Sequence, residues 1–313
     1  MKHIGITLGD INGIGAEVTL KAIARFENEK VCFSLIGSKQ ALMEQVEKMN
    51  LPLSPKVKIL SVGENISWNP GQIHPEASRV AHQAIEQAVS DCLRGKLDAM
   101  VTAPICKQGF QMAGFQEPGH TELLARLTQT KRFGMMLIGG GLRVMLATRH
   151  LPISEVSSAL SEELILEAIE LASEGLKKLG IPHGRIGVCG LNPHAGDGGV
   201  LGTEELEKIT PAIQKAQREH ILVSGPIPAD TIFYQAPRGD FDAVVAMYHD
   251  QGLAPLKMVG FDEGVNITLG LPIIRTSPDH GTAFGIAGKN QASSTSMEHA
   301  IQYALQMSET VLS

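Results

Sequence analysis

The chain has 313 residues, of which 43% are hydrophobic and 19% charged, as in a globular protein with a sizeable core. Aromatic residues make up only 4%, and the net charge of −6 includes no long basic run, which argues against a nucleic-acid-binding surface. The chain shows neither a signal-peptide pattern nor an apolar run long enough to span a membrane, so we expect a cytoplasmic protein.

Short strand patterns alternate with longer helical patterns along the chain. In the first half they predict strands over 3–8, 31–37 and 97–104, and helices over 16–27, 39–49 and 74–95. In the second half, strand-like runs begin at Gly134, Leu142, Arg185 and Asp242, with helical regions near 153–179 and 203–219 and a final helix over 293–312. The stretch "IGGGL" (138–142) is typical of a hairpin turn.

This alternation predicts an α/β fold with largely parallel sheets. No linker or internal repeat divides the chain. We therefore expect a single catalytic unit made of two lobes, roughly 1–130 plus 275–313 and 131–274, with the chain crossing between them. The four cysteines form no C-x-x-C pair, so reduced thiols are expected.

Three of the later apolar runs end in histidine, at His150, His194 and His249. Ligands of open α/β sheets bind outside the carboxyl ends of the strands, so three imidazoles placed there can converge on one metal ion. Three neutral rings leave a coordination position open for a substrate. Taken singly, a histidine after a strand is an ordinary loop residue, and the long separations match no local metal motif. Side chains suited to orient the rings lie nearby, at Asn192, Asp197 and Asp250.

A second group of residues is suited to bind an anion. His120 and Thr121 stand at the start of a predicted helix, where free N–H groups and the helix dipole favour phosphate or carboxylate. Lys257, Asn266 and Arg275 come after the last of the three histidines in a glycine-interrupted stretch. The alternative is that Thr121 only caps the helix and that the cations are solvated surface charges.

Two glycine-containing stretches are candidates for contact with a nucleotide. "LGDINGIGAE" (8–17) lies in the first strand-to-helix turn, but its spacing is not G-x-G-x-x-G, and a tight turn explains it almost as well. "SPDHGTAFGIAGKN" (277–290) contains Asp279, Gly281 and Thr282. It is either a loop that lets the backbone approach a nucleotide or a flexible connection before the last helix.

Taken together, these motifs resemble one known family. The stretches "GHTELLA", "LATRHLPISEV", "LNPHAGDGGVLGTEE", "GPIPADTIF", "YHDQGLAPLK" and "GVNITLGLPIIRTSPDHGTAF" are similar, in this order, to 4-hydroxythreonine-4-phosphate dehydrogenases of pyridoxine (vitamin B6) biosynthesis. The resemblance runs from the first strand to the last helix. It implies a two-lobed α/β/α fold like that of isocitrate and isopropylmalate dehydrogenases, not a Rossmann dinucleotide fold.

The resemblance also implies a role for each candidate residue. The implied ligands of one divalent metal ion (Zn, Mg or Co) are His150, His194 and His249. The implied contacts of a phosphorylated substrate are His120, Thr121, Lys257, Asn266 and Arg275. The loop similar to a nucleotide-binding loop carries the candidate contacts of NAD or NADP at Asp279, Gly281 and Thr282. Asp250 is the candidate proton-handling or ring-orienting group, and a homodimer is implied, with the active site near the subunit interface and metal ligands from both chains.

The implied reaction is the oxidation of 4-phosphooxy-L-threonine to a 3-keto acid, followed by decarboxylation to 3-amino-2-oxopropyl phosphate. Relatives that act on 4-phospho-D-threonate or 4-phospho-D-erythronate give the alternative substrates. The chain departs from the family pattern at Ile11-Asn12, where Pro-Ala is usual, and at Gly285, where a carboxylate often stands. Residue chemistry alone also leaves open a metal-dependent phosphate-ester hydrolase and a non-catalytic metabolite-binding protein.

Overall fold

The computed structural model describes residues 1–51, 53–63, 65–117 and 119–310. The strands are β1 (Lys2–Thr7), β2 (Val31–Gly37), β3 (Val57–Ser61), β4 (Ala99–Thr102), β5 (Gly134–Gly139), β6 (Leu142–Leu146), β7 (Ile186–Cys189), β8 (Val223–Ile227), β9 (Ala243–Ala246), β10 (Val265–Leu269) and β11 (Arg275–Pro278). The helices are α1 (Gly15–Ile23), α2 (Lys39–Met49), α3 (Pro75–Leu93), α4 (Lys107–Met112), α5 (His120–Leu127), α6 (Ile153–Ala159), α7 (Glu162–Lys178), α8 (Thr210–Arg218), α9 (Ala229–Gln235), α10 (His249–Gly260) and α11 (Thr295–Thr310). Within the described part of the chain, none of these helices combines the length and apolar character that crossing a membrane requires.

The chain forms two compact units. Unit 1 comprises Met1–Lys131 and the segment that begins at Leu271, and unit 2 comprises Arg132–Gly270. In unit 1 the strand order is β3-β2-β1-β4-β11, and these pairs are parallel. In unit 2 the order is β10-β5-β6-β9-β7-β8, with β10–β5 and β5–β6 antiparallel and the other pairs parallel. The predicted α/β fold with largely parallel strands is confirmed.

Two strands of unit 1, β1 and β4, are largely buried beneath helices. Ile4 and Ile6 of β1 are fully buried, and all four residues of β4 are buried. Helices α3 and α11 both pack against β1 and β4. A parallel strand covered in this way reads as a continuous hydrophobic run, which is the pattern that predicted β1 and β4 from the sequence.

Turn and capping residues set two boundaries in unit 2. Gly140 and Gly141 join β5 to β6 with φ angles of 55° and 81°, the left-handed pair that a two-residue hairpin requires, so the predicted hairpin turn is confirmed. The helical region near 153–179 is two helices. The second helix, α7, begins after Ser161, because the Ser161 side chain accepts a hydrogen bond from the Leu164 N–H and caps the helix.

Replacing Gly252 by valine should destabilise the protein. Gly252 lies inside α10, where an added Cβ would stand 2.6 Å from Val144 Cγ1 and 3.0 Å from Ala246 Cβ. Valine forms helix slightly better than glycine, but overpacking typically costs about 1–3 kcal/mol, so the clash decides the sign. We expect urea denaturation to show a free energy of unfolding lower by about that amount.

Gly285→Ala is the control for this experiment, because a Cβ at that position meets nothing within 4 Å. Its unfolding curve should match that of the unmodified chain. Equal stability of the Gly252→Val variant would contradict the close packing of α10 on β6 and β9.

Candidate active site

The three candidate metal ligands come after three neighbouring strands of unit 2. His150 lies just beyond β6, His249 is the first residue of α10 directly after β9, and His194 lies in the loop after β7. Because β6, β9 and β7 are adjacent and parallel, their carboxyl ends meet at one edge. The ring centroids of His150 and His249 are 5.5 Å apart. These two rings are therefore brought together by the fold.

His194 is presented by an unusual loop. Residues 194–198 all have positive φ, between 45° and 80°, although three of the five are not glycine. Such left-handed backbone costs roughly 1–2 kcal/mol for each non-glycine residue. Among the residues that the structure describes, no group of three or more His, Cys, Asp or Glu side chains stands ready to hold a metal ion. The three-histidine site therefore stays a prediction.

Asp250 orients the ring of His249. His249 Nδ1 donates to Asp250 Oδ1 over 2.6 Å. A carboxylate on one ring nitrogen fixes the tautomer and leaves Nε2 as the nitrogen for a metal ion. The Asp250 side chain is itself 85% exposed, so it is accessible at the open edge of the sheet. Of the two roles predicted for Asp250, this contact supports ring orientation.

Sequence reasoning missed two carboxylates beside the His194 loop. Glu204 accepts hydrogen bonds from the Ser157 hydroxyl over 2.6 Å and from the Asn192 amide over 2.8 Å, which lower its pKa to about 2. Glu205 is 2% exposed and faces the same loop. The sequence "GTEE" carries no motif that reveals these contacts, since they depend on how the loop folds back.

The candidate anion site of unit 1 is built at the start of α5. Helix α5 begins at His120, as predicted, and its N-cap is Gly119, without a side-chain cap. Thr121 is buried one residue further on, so it does not cap the helix. The simple capping alternative is therefore wrong, and the N-terminal N–H groups of α5 are not satisfied by Thr121 in that way.

Arg275 places a buried positive charge in the same unit. Its side chain is 2% exposed and donates from Nε and Nη2 to Thr102 Oγ1 over 3.1 and 2.7 Å. Burial lowers the pKa of Arg275 to about 9, against a smaller opposite effect of Glu122, so the guanidinium stays charged at neutral pH. A poorly hydrated guanidinium is well suited to a phosphate or carboxylate.

His120 is neutral beside this charge. Desolvation, and to a smaller extent the charge of Arg275, hold the pKa of His120 well below its usual range. Its Nε2 atom is buried and has no hydrogen-bond partner among the described residues. A buried ring nitrogen without a partner is costly unless a ligand satisfies it. His120 Nε2 is therefore available to a ligand.

The other two candidate substrate residues belong to unit 2. Asn266 lies on β10, and its Oδ1 atom is buried without a hydrogen-bond partner among the described residues. Lys257 lies on α10, half-buried, with Nζ 5.9 Å from the centre of the Phe261 ring. An amide and a cation in these positions offer a donor and a charge to an anionic ligand.

The candidate cofactor residues lie in a loop that the protein's own backbone contacts. The Ile14 N–H donates to Thr282 O over 3.0 Å, and the Asp279 N–H donates to Ser296 Oγ over 3.1 Å. A Cβ at Gly13 would stand 2.8 Å from Thr282 O. The glycines after β1 thus serve close backbone packing, which supports the tight-turn interpretation. Gly281, by contrast, is exposed.

Asn12, one of the departures from the family pattern, also has a structural role. Its Nδ2 donates to Gln72 O over 3.0 Å, and its Oδ1 accepts from the Asn69 N–H over 2.9 Å. Gly285, the other departure, lies in open space. Asn12 therefore ties the turn after β1 to the segment before α3.

We compared the sequence and the structure of the chain with those of known proteins. The family model described as Pyridoxal phosphate biosynthetic protein PdxA matches residues 13–304. The chain is 44% identical to a 4-hydroxythreonine-4-phosphate dehydrogenase of Desulforapulum autotrophicum, over 96% of this chain and 94% of that protein. It is 42% identical to a D-threonate 4-phosphate dehydrogenase of Cupriavidus necator, over 97% of this chain and 96% of that protein.

Solved structures show the same likeness. A crystal structure of 4-hydroxythreonine-4-phosphate dehydrogenase from Klebsiella pneumoniae matches with a TM-score of 0.88 and 38% identity, covering 98% of each chain. A beta-decarboxylating dehydrogenase from Thermococcus kodakarensis matches with a TM-score of 0.53 and 14% identity over 100% of this chain and 89% of that one, which confirms the expected fold class. The motif resemblance is confirmed as well, and the chain belongs to the PdxA family of dehydrogenases.

Proposed function

We propose that this protein is a metal- and NAD-dependent dehydrogenase that oxidises 4-phosphooxy-L-threonine to the 3-keto acid. The keto acid then loses CO₂ to give 3-amino-2-oxopropyl phosphate. The observation that carries the proposal is the pairing of buried, charged Arg275 with neutral His120, whose Nε2 has no partner among the described residues. This pairing fits a phosphorylated substrate, and the name of the Desulforapulum relative supports the same substrate.

The chain's own residues bind and orient the phosphate. Arg275 supplies charge-assisted hydrogen bonds, and its desolvation strengthens the attraction. His120, being neutral, donates through Nε2–H with Nδ1 unprotonated, so it adds a hydrogen bond without a second charge to desolvate. Thr121 adds a hydroxyl at the start of α5, where the helix dipole favours an anion. Lys257 and Asn266 are the further substrate contacts that we propose, a cation and an amide suited to an anionic ligand.

His150, His194 and His249 would hold the metal ion. The residues fit such an ion, since two of the rings are 5.5 Å apart and Asp250 fixes the tautomer of His249. When bound, Zn²⁺, Mg²⁺ or Co²⁺ would supply Lewis-acid polarisation of the substrate hydroxyl. NAD, or NADP, would supply the hydride acceptor, held at Asp279, Gly281 and Thr282.

We propose a homodimer that completes the metal site. The described part of a single chain does not bring three ligands together. Apolar side chains next to the histidine-bearing loops are exposed, and these are Leu151, Ile153, Val200, Leu201 and Leu206. Exposed apolar side chains gathered beside a site are typical of a protein interface. A second copy of the chain would cover them and supply the missing ligand.

The same chemistry on 4-phospho-D-threonate or 4-phospho-D-erythronate is the second candidate. The Cupriavidus relative, at 42% identity, is named for D-threonate 4-phosphate. The phosphate contacts described above serve all three compounds equally. Membership in a family of dehydrogenases favours neither the hydrolase nor the non-catalytic binding protein.

NADH production from the three phosphorylated acids should distinguish these substrates. We expect the purified protein, with NAD⁺ and Zn²⁺ or Mg²⁺, to have the highest kcat/KM with 4-phosphooxy-L-threonine. Higher kcat/KM with either sugar acid would keep the mechanism and change the substrate. Inorganic phosphate release without NADH would instead indicate the hydrolase.

Replacing His194 by alanine should abolish turnover and metal retention while the fold stays intact. The reason is that removal of one of three ligands leaves too few donors for a tightly bound ion. Metal content after dialysis, together with circular dichroism, checks this expectation. Exposed His183 provides the control, and His183→Ala should retain metal and activity. Turnover by metal-stripped protein would contradict the mechanism.

Replacing His120 by alanine should raise the KM for the phosphorylated substrate about 10- to 100-fold. A hydrogen bond to a charged group contributes roughly 1.5–3 kcal/mol, and 1.4 kcal/mol is a factor of ten. His120→Gln, which keeps an N–H donor, should recover part of the affinity. Equal KM values for the two variants would argue against a donated hydrogen bond from His120.

A further inference from the structure

The loop that carries His194 folds around a buried carboxylate. Glu205 is the first residue of a π-helical turn, Glu205–Ile209, that precedes α8. Its Oε1 accepts hydrogen bonds from the backbone N–H groups of Leu191 and Asn192 over 2.8 and 2.7 Å. Its Oε2 accepts from Asn192 Nδ2 over 3.0 Å. A single carboxylate thus satisfies three donors on the segment that leads from β7 to His194.

The fit between the loop and this carboxylate is close. A Cβ at Gly196 would stand 2.6 Å from Glu205 Oε2, and a Cβ at Gly190 would stand 2.8 Å from Ala195 Cα and 3.2 Å from Glu205 Oε1. Glycine is therefore required sterically on both sides of His194, in addition to the positive φ of Gly196. The side chain of Glu205 fills the inside of the loop.

The backbone of the loop needs such support. Residues 194–198 are left-handed, including His194, Ala195 and Asp197. Backbone in sparsely populated regions persists only where the surroundings over-determine it. Glu205 supplies three of the restraining hydrogen bonds, and Asn192 is held a second time by Glu204. Lys208 and Ser157 extend this support, since Lys208 Nζ donates to Ser157 O over 2.7 Å.

We propose that Glu205 is a positioning residue for the metal site. It does not touch the metal ion or the substrate. It holds the left-handed loop in the one conformation that presents the His194 ring, and in this way sets the affinity for the metal ion. This inference rests on the metal site of the proposed function and adds a residue to which the motifs assign no role.

The chemistry of the carboxylate ranks two variants. Glu205→Ala removes the acceptor of all three donors and empties the inside of the loop. Glu205→Gln keeps the size and one acceptor oxygen for the N–H groups of Leu191 and Asn192. Its NH₂ group, however, faces the donor Asn192 Nδ2, so the Asn192 amide must turn over. The loop should therefore be looser in Glu205→Gln than in the unmodified chain, and loosest in Glu205→Ala.

Metal affinity tests this ranking. Metal-free, full-length protein is titrated with Zn²⁺ in competition with a chelator, and the visible spectrum is recorded with Co²⁺. Loss of a residue that orients a metal ligand typically weakens metal binding about 10- to 100-fold, and we expect this for Glu205→Ala. The Zn²⁺ affinity of Glu205→Gln should lie between those of Glu205→Ala and the unmodified chain. The Co²⁺ spectrum should change in Glu205→Ala.

Glu207→Ala is the matched control, because Glu207 is an exposed acidic residue of the same π-helical turn. It should bind Zn²⁺ and Co²⁺ like the unmodified chain. A general loss of stability would lower the unfolding temperature without changing the Co²⁺ spectrum of the folded protein. The spectrum therefore separates a positioning role from a merely structural one.

The outcomes separate this inference from the proposed function. Zn²⁺ binding by both Glu205 variants as tight as in the unmodified chain would overturn the inference and leave the metal site standing. No Zn²⁺ binding by the unmodified chain would overturn both. If Glu205→Ala does not fold, the test rests on Glu205→Gln. Weaker Zn²⁺ binding by Glu205→Gln than by the unmodified chain would support the inference, and unchanged Zn²⁺ binding would overturn it.

Discussion

The parallel pairing of β6, β9 and β7 is the constraint on which the chemistry of unit 2 depends. Parallel strands end at one edge, so residues far apart in the chain are delivered to the same edge without any local motif. The histidines then differ in the local backbone that carries each of them. His249 starts a helix at once, whereas His194 lies in a left-handed loop. The strands bring the three histidines to one edge, Asp250 contacts the His249 ring, and Glu205 contacts the segment that leads to His194.

In unit 1, the main feature of the candidate site is a buried positive charge. A guanidinium that is 2% exposed has lost most of its water, and hydrogen bonds such as those to Thr102 replace part of that hydration. The neutral ring of His120 is a consequence of the same desolvation, since a second positive charge beside Arg275 would be too costly. An anion bound at the proposed site would balance the charge of Arg275 and give His120 Nε2 a hydrogen-bond partner.

The hydrophobic pattern of the sequence was sufficient to predict most strands and the fold class. The alternation of strand and helix patterns indicated largely parallel sheets, and the histidines after β6, β7 and β9 pointed to the carboxyl ends of those strands. The contacts of Glu205 could not be predicted, because its partners include backbone N–H groups that lead into a left-handed loop. No residue propensity predicts such a loop. The contacts of Asn12 could not be predicted for a similar reason, since its partners lie near residue 70 and no sequence spacing connects the two segments. Ser161 could have been found, because a serine followed by two glutamates is a typical start of a helix.

The route of the chain has a consequence for the order of folding during synthesis. Unit 2 is one continuous segment, complete once residue 270 has left the ribosome. Unit 1 is completed later, because β11 pairs with β4 and α11 packs on both strands, and these elements are made after unit 2. Its nascent sheet therefore has an open edge at β4 while unit 2 is being made, and such an edge invites pairing with other chains. Arg275, at the start of β11, is made after unit 2, so a chain that stops at residue 270 lacks this residue of the candidate anion site even where unit 2 has folded.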